Sequence, residues 1–126
     1  MGAELLQLLS FRTTIERCAT VLKPLGLDLL SILSHKSAEP FHDPTVSMTS
    51  ITAIQVALVD FLRTLKVPVD GIIGYGTGEI GCAYADGCIT LEQAMLIVYH
   101  IGLSIRESEL PLDSTVEVGL SLRKAE

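Results

Sequence analysis

The middle of the chain reads Val69-Asp70-Gly71-Ile72-Ile73-Gly74-Tyr75-Gly76-Thr77-Gly78-Glu79-Ile80. Short apolar residues lead into a glycine cluster, and the cluster opens into a segment that can be helical. This is the layout of a strand, a sharp turn and a helix, where α/β proteins place nucleophiles or bind phosphates. The central position, Gly76, has no side chain that could react. We therefore expect the frame of a catalytic turn with an empty centre.

The glycine cluster allows three interpretations. Gly76 to Gly81 fits the dinucleotide-binding pattern G-x-G-x-x-G, but the long helix that this site requires is interrupted at Asp86-Gly87. Gly74 to Gly78 fits a nucleophile elbow, G-x-S-x-G, with glycine in place of the serine. The glycines could also serve only a tight connection between two elements. The pattern alone leaves all three open, and the surrounding sequence favours the elbow.

The composition is that of a small, apolar and acidic chain. Its 126 residues make at most one ordinary domain, and 48% of them are hydrophobic. The mean hydropathy of +0.47 is high for a free-standing domain of this size, so we expect surface that packs against more protein. A net charge of −6 argues against nucleic-acid binding. Three cysteines without a CxxC pair fit free thiols and predict neither a disulfide framework nor a metal site.

The sequence predicts a cytoplasmic protein without a membrane span. No basic region precedes the N-terminal leucines, so a signal peptide is not expected. No stretch approaches the roughly 18 apolar residues of a spanning helix.

Hydrophobic periodicity predicts alternating helices and strands, and this order is typical of an α/β fold. Helices are predicted at 3–22, 27–33, 45–66, 79–85 and 90–108, strands at 69–73 and 115–120, a polar loop at 34–44, and another helix start at 121–126. Thr90 and Gln93 form a capping box at the start of the last complete helix. The expected buried face of helix 45–66 consists of Ile51, Ile54, Leu58, Phe61, Leu62 and Leu65.

The residues that follow the turn are distinctive. They are Gly78-Glu79 and Ala83-Tyr84-Ala85-Asp86-Gly87-Cys88, with further matches at 23–27, 50–55, 99, 102 and 118–121. Together they resemble the malonyl/acetyl transferase domain of animal-type fatty acid synthase, in which the turn reads G-H-S-x-G-E and a Y-A-D-G-C stretch follows. The resemblance implies that residues 1–126 are a single partial domain. It also implies an α/β-hydrolase-like acyltransferase subdomain, with helices around a short parallel sheet.

The resemblance also implies a chemistry and its partners. In that family a serine takes an acyl group from coenzyme A as an ester and passes it to the phosphopantetheine thiol of an acyl carrier domain. A histidine acts as base, backbone N–H groups bind the oxyanion, and an arginine pairs with the malonyl carboxylate. No other cofactor is expected. Acyl carrier domains and other fatty acid synthase domains are the implied partners.

This chain departs from the family at the residues that carry the chemistry. The nucleophile position is Gly76, and the adjacent histidine of the motif is Tyr75. The malonyl-binding arginine falls on Ile101, which follows Tyr99-His100. The family's oxyanion loop would precede this sequence, and its base would lie beyond residue 126. We therefore expect a degenerate elbow at Gly74, Tyr75, Gly76, Thr77 and Gly78, and no transacylase activity.

The remaining polar residues near the turn have structural explanations. We expect Thr77 to cap a backbone N–H at the helix start. Cys82 is expected to pack against the sheet, and Glu79 to favour the helix dipole. No catalytic role is expected of the histidines, which are His35, His42 and His100.

Three hypotheses follow. The chain could be an inactive relic or truncated gene product, or a segment of a longer synthase. It could instead be a non-catalytic module that binds coenzyme A or a protein partner, or that self-associates through exposed apolar surface. We expect poor solubility in isolation.

Overall fold

Five α-helices make up the described part of the computed structural model, which covers residues 4–34 and 39–108. The helices are α1 (Leu9–Leu22), α2 (Leu29–Ser34), α3 (Pro44–Thr64), α4 (Gly78–Ala85) and α5 (Leu91–Glu107). Short 3₁₀ turns lie at Leu5–Gln7, Lys23–Leu25 and Glu39–His42. The helices predicted between residues 3 and 108 are confirmed, and the capping box at Thr90 and Gln93 is present with both of its hydrogen bonds.

The central helix is α3, which packs against α1, α4 and α5. Asp43 caps its first turn, because a carboxylate oxygen accepts from the backbone N–H groups of Thr45 (2.7 Å) and Val46 (3.2 Å). Pro44 occupies the first helical position, where its missing N–H costs nothing. Asp43 lies inside the predicted polar loop at 34–44, and its role as a cap was not predicted.

The buried face of α3 consists of small residues, and the predicted face was wrong. The buried residues are Thr45, Thr49, Ser50, Thr52, Ala53, Val56 and Ala57. Of the larger side chains predicted to be buried, Leu62 and Leu65 are exposed and the others are only partly buried. The spacing between packed helices depends on the side chains at the contact, so small residues let α3 approach its neighbours closely.

The apolar core forms where α1, α2 and α5 surround this face. Its large members are Phe11, Ile15 and Leu22 from α1, Leu29 and Leu33 from α2, and Leu91, Met95 and Val98 from α5. Leu9, the first residue of α1, is 80% exposed. The reason is that α1 begins at Leu9, after a short 3₁₀ turn, so that Phe11 is the first residue to enter the core.

The segment from α3 to α4 contains no strand in the part of the chain that the structure describes. Val69 is 63% exposed and Ile73 is 98% exposed, so the described segment does not show the predicted buried strand. A strand needs a hydrogen-bonded neighbour and a covered face to be stable. The second predicted strand, 115–120, and the helix start at 121–126 lie outside the described residues. The described residues are therefore mostly helical, and they do not include the predicted parallel sheet.

By length and composition alone, α3 could cross a membrane. The expectation that no stretch has the length and apolar content of a spanning helix was therefore wrong for α3. The core helix of a soluble protein passes the same test, and the packing of α3 against the four other α-helices is that of a core helix.

Candidate functional site

The glycine turn between residues 74 and 78 folds into a sharp corner at the start of α4. Gly76 adopts a left-handed conformation with φ of 57°. The Gly78 N–H donates to the Tyr75 carbonyl at 2.9 Å, and the Glu79 N–H donates to the Gly76 carbonyl at 3.1 Å. A strained residue between an extended segment and a helix N-terminus is the arrangement of a nucleophile elbow. The position that the sequence analysis aligned with the nucleophile is the residue with left-handed backbone.

Gly74, a second glycine of the turn, has no room for a side chain. A Cβ atom on Gly74 would lie 2.7 Å from the Cys82 Sγ and 2.7 Å from the Gly78 carbonyl carbon. Cys82 therefore packs against the turn from inside α4. By contrast, no atom lies within 4 Å of a Cβ built on Gly76. A side chain at position 76 would project into open space, as a nucleophile must, but glycine supplies none.

The elbow faces an open groove of about 400 Å³ between α3 and α4. Its lining includes Gln55, Leu58, Leu62, Ile72, Ile73 and Tyr75, and none of the lining residues is charged or a histidine. The Gln55 Oε1 is buried there without a hydrogen-bond partner. Within the described residues, the lining of this groove thus contains no catalytic base and no cation for a substrate carboxylate.

Thr77 does not cap α4. Its side chain makes no capping hydrogen bond, so the predicted role was wrong. The reason is that Thr77 already has helical backbone angles, with φ of −62° and ψ of −19°, whereas a capping residue is typically extended. Glu79 lies in the first turn of α4, as expected. None of the hydrogen bonds in this part of the structure engages the Thr77 N–H, which is the backbone donor next to the nucleophile position.

Ile101, at the position of the family's arginine, lies on α5 and is 40% exposed. It lines a different surface groove, together with His100 and Ser104, and does not line the groove at the elbow. His100 is exposed and packs edge-on against Tyr99, with 5.4 Å between the ring centroids. The structure therefore does not bring Ile101 and Gly76 into one pocket.

Two thiols outside the turn are poor nucleophiles. Burial raises the pKa of Cys18 to about 12. The hydrogen bond from the Cys88 thiol to Asp86 (3.3 Å), together with the charge of Asp86, raises the pKa of Cys88. A raised pKa leaves little thiolate at neutral pH. In the part of the chain that the structure describes, no group of three or more His, Cys, Asp or Glu side chains could hold a metal ion.

A polar cluster that was not predicted from the sequence lies at the carboxyl end of α4. We call it the Asp60 cluster, and it consists of Thr14, Asp60, Arg63 and Tyr84. Burial, and then the hydrogen bond to Asp60, raises the pKa of Tyr84 to about 12. The members lie far apart in the sequence, and periodicity identifies faces rather than partners across helices. The i,i+3 spacing of Asp60 and Arg63 was the one signal available.

The family match and the similar proteins agree with each other. Residues 1–121 match the family described as the acyl transferase domain. Highly reducing polyketide synthase SAT13 of Stachybotrys chartarum is 39% identical over 107 residues, which cover 82% of this chain and 4% of the synthase. Prosolanapyrone synthase of Alternaria solani is 36% identical over 131 residues, which cover 100% of this chain and 5% of that protein. Highly reducing polyketide synthase 40 of Fusarium pseudograminearum is 38% identical over 81% of this chain and 4% of its own length. The chain thus spans a twentieth or less of these relatives.

Proposed function

This chain belongs to the acyl transferase domain family, and from that premise we propose that it is the elbow-bearing part of such a domain, with a nucleophile position that can no longer form an acyl-enzyme. The observation that carries the proposal is the backbone of Gly76. It keeps the left-handed conformation and open surroundings of an elbow nucleophile, without a hydroxyl or thiol. By descent the chain belongs with acyl transfer between coenzyme A and a carrier thiol.

The loss at Gly76 is expected to abolish acyl transfer. The family's chemistry needs a side chain that carries the acyl group as an ester, and glycine cannot form one. Removal of a triad residue costs about three or more orders of magnitude in rate. Among the described residues, the uncharged lining of the elbow groove and the neutral side chain of Ile101 also supply no base and no partner for a malonyl carboxylate.

Two types of synthase, fatty acid synthase and polyketide synthase, fit this domain. The sequence resembles the domain of animal-type fatty acid synthase, whereas the curated relatives described above are polyketide synthases. For either type of synthase, we propose that the chain lies beside an acyl carrier domain and other synthase domains, in the cytoplasm. The product of the proposed synthase is a fatty acid or a polyketide, and the sequence on either side of this domain would distinguish the two.

The proposal includes the α/β fold that the resemblance implies. Residues 69–73 would form the elbow strand of a short parallel sheet. The exposure of Val69, Ile72 and Ile73 supports this, because a neighbouring strand and its covering elements would bury them. Residues 1–126 would then be a single partial domain.

Covalent labelling tests the loss of activity. The purified chain is incubated with radiolabelled malonyl- and acetyl-CoA, and the protein-bound label is counted and located by mass spectrometry. We expect no label, and none after Gly76→Ser, because no base is present among the described residues that line the groove. An active acyl transferase domain treated in parallel serves as the positive control. Stoichiometric label on any residue of the unmodified chain would overturn the proposal.

A second candidate, a non-catalytic interaction module, is favoured by exposed apolar side chains around the elbow. They include Leu65, Val69, Ile73 and Tyr75, which are 57%, 63%, 98% and 85% exposed. Calorimetric titration with acyl-CoA and light scattering would test it. A flat titration and a clean monomer would remove this candidate. Dinucleotide binding is less favoured, since α4 has only 8 residues and lacks the length of a crossover helix.

A further inference from the structure

The carboxylate of Asp60 joins three helices. The Tyr84 hydroxyl, on α4, donates to its Oδ1 at 2.7 Å, and the Thr14 hydroxyl, on α1, donates to its Oδ2 at 2.9 Å. Arg63, one turn further along α3, donates to Oδ1 at 3.3 Å. Both oxygens are therefore occupied, and the Asp60 side chain is only 21% exposed. A half-buried carboxylate with several donors is fixed in place, because moving it would leave polar groups unpaired.

Arg63 connects the same cluster to the end of α4. Its guanidinium donates to the carbonyl of Ala85 at 2.8 Å and to that of Tyr84 at 3.4 Å. The guanidinium carbon lies 5.2 Å from the centroid of the Tyr84 ring. The last carbonyls of a helix lack partners within it, and a cation there interacts favourably with the helix dipole. Arg63 thus caps α4 from a neighbouring helix.

This cap lies one short helix away from the elbow. α4 has 8 residues, so its ends are about 12 Å apart. Helices of this length are not stable alone and depend on contacts with the rest of the protein. At its other end α4 begins at Gly78, inside the elbow turn. Whatever fixes the carboxyl end of so short a helix also fixes the direction from which the helix leaves the turn.

We propose that Asp60 is a positioning residue of the elbow, acting through Tyr84 and Arg63 to hold α4 and thereby the turn at Gly76. The proposal rests on the assignment of residues 74–78 as the elbow. It assigns to the Asp60 cluster the role of maintaining a turn whose own side chain has been lost. The alternative is a general contribution to stability, which would affect all helices alike.

Amide hydrogen exchange separates the local role from the general one. The probes are the N–H groups of Gly78, Glu79 and Ile80, which make the hydrogen bonds of the turn. The reference is the N–H of Val98, in the buried part of α5. Tyr84→Phe removes the hydroxyl and keeps the ring that Arg63 covers. We expect exchange at the turn to rise on the order of fivefold or more, as expected for one lost hydrogen bond, with Val98 unchanged within about twofold.

Tyr99→Phe is the matched control. It also removes one partly buried tyrosine hydroxyl, which donates to the Leu25 carbonyl at 3.1 Å away from the elbow. It should leave the turn amides unchanged. If Tyr84→Phe does not fold, Arg63→Met keeps the aliphatic stem, removes the cap, and is expected to give the same local pattern.

Two outcomes would overturn the proposal: equal acceleration at the turn and at Val98, or no acceleration at the turn. Neither bears on acyl transfer, which is measured separately by covalent label. A failure of the positioning role and a failure of the proposed function are therefore distinguishable.

Discussion

Gly102 of α5 lies directly against the backbone of Thr45 in α3. A Cβ atom at position 102 would be 2.5 Å from the Thr45 Cα and 2.9 Å from its nitrogen. Real Cβ atoms do not approach backbone atoms so closely, so only glycine fits there. This contact brings α5 against the small-residue face of α3 and places Arg106 beside the capping carboxylate of Asp43, at 3.3 Å.

Gly102→Ala is expected to destabilise the protein by about 2 kcal/mol, as for an overpacked core. The clash outweighs the helix propensity that alanine adds, which is about 1 kcal/mol. Urea unfolding followed by circular dichroism measures the difference. Ser104→Ala, on the exposed side of the same helix, is the control and should be nearly neutral. Equal stability of Gly102→Ala and wild type would mean that the two helices are farther apart than described.

Asp43→Ala is expected to cost about 1 kcal/mol through loss of the cap of α3. Burial acts to raise the pKa of Asp43, but hydrogen bonds from Val46, Arg106 and Thr45 outweigh it and hold the pKa below its ordinary value of 3.8. A lowered pKa gives stability that is present above the unfolded pKa and lost as pH falls through the folded one. The difference between wild type and Asp43→Ala should therefore narrow in acid, below about pH 4.

Asp43→Asn separates the two functions of this side chain. Asparagine still caps a helix but carries no charge for Arg106. It should keep most of the stability at neutral pH and remove the acid dependence. An acid dependence that persists unchanged in Asp43→Asn would point to another carboxylate.

The free energy of unfolding should decrease in strong alkali, because the Tyr84 hydroxyl loses its proton there. Its pKa rises from 10.0 to about 12 in the folded protein. The associated stability is fully present below the unfolded pKa and is lost as pH rises through the folded one, that is, between about pH 10 and 12. Urea midpoints on either side of pH 10 for wild type and Tyr84→Phe measure this contribution. The curve of the variant should be flatter, and parallel curves would contradict the assignment.

Gly76→Ala should cost about 1 kcal/mol without any clash. No atom is near the added Cβ, so the cost comes only from a left-handed backbone that side chains disfavour. Gly71→Ala is the matched control, since it also has open space but no positive φ. Thermal unfolding of both variants would decide. A neutral Gly76→Ala would mean that the turn relaxes out of the elbow conformation.

The sequence predicted the local features of this fold well and the contacts between elements poorly. The α4 helix, the capping box at Thr90 and the corner at Gly76 depend on neighbouring residues, and a chain contains that information locally. The buried face of α3 depends on partners that lie far away in the sequence, such as Gly102, which lies against Thr45. Periodicity selects the face with the largest apolar side chains. In α3 the buried face is a different one and consists of small residues.

The elbow residues were predicted from spacing and resemblance. The Asp60 cluster, which contacts the helix that follows the elbow, was not predicted. Asp60 and Tyr84 meet only in three dimensions, and either residue alone would be taken for an ordinary surface side chain. The exposure of Ile73 could not be foreseen either, because burial of a strand depends on neighbours rather than on its own sequence.

The exposed segment that leads into the elbow has a consequence for how this chain behaves during synthesis and storage. An apolar stretch without a strand partner is a template for pairing with other chains, and so for aggregation. Pro68 and Asp70 interrupt the run on either side of Val69, which is 63% exposed. Proline supplies no N–H for a ladder, and aspartate brings charge, so these two residues act as gatekeepers against fibril formation. Their replacement by valine would turn a connecting segment into an aggregation site.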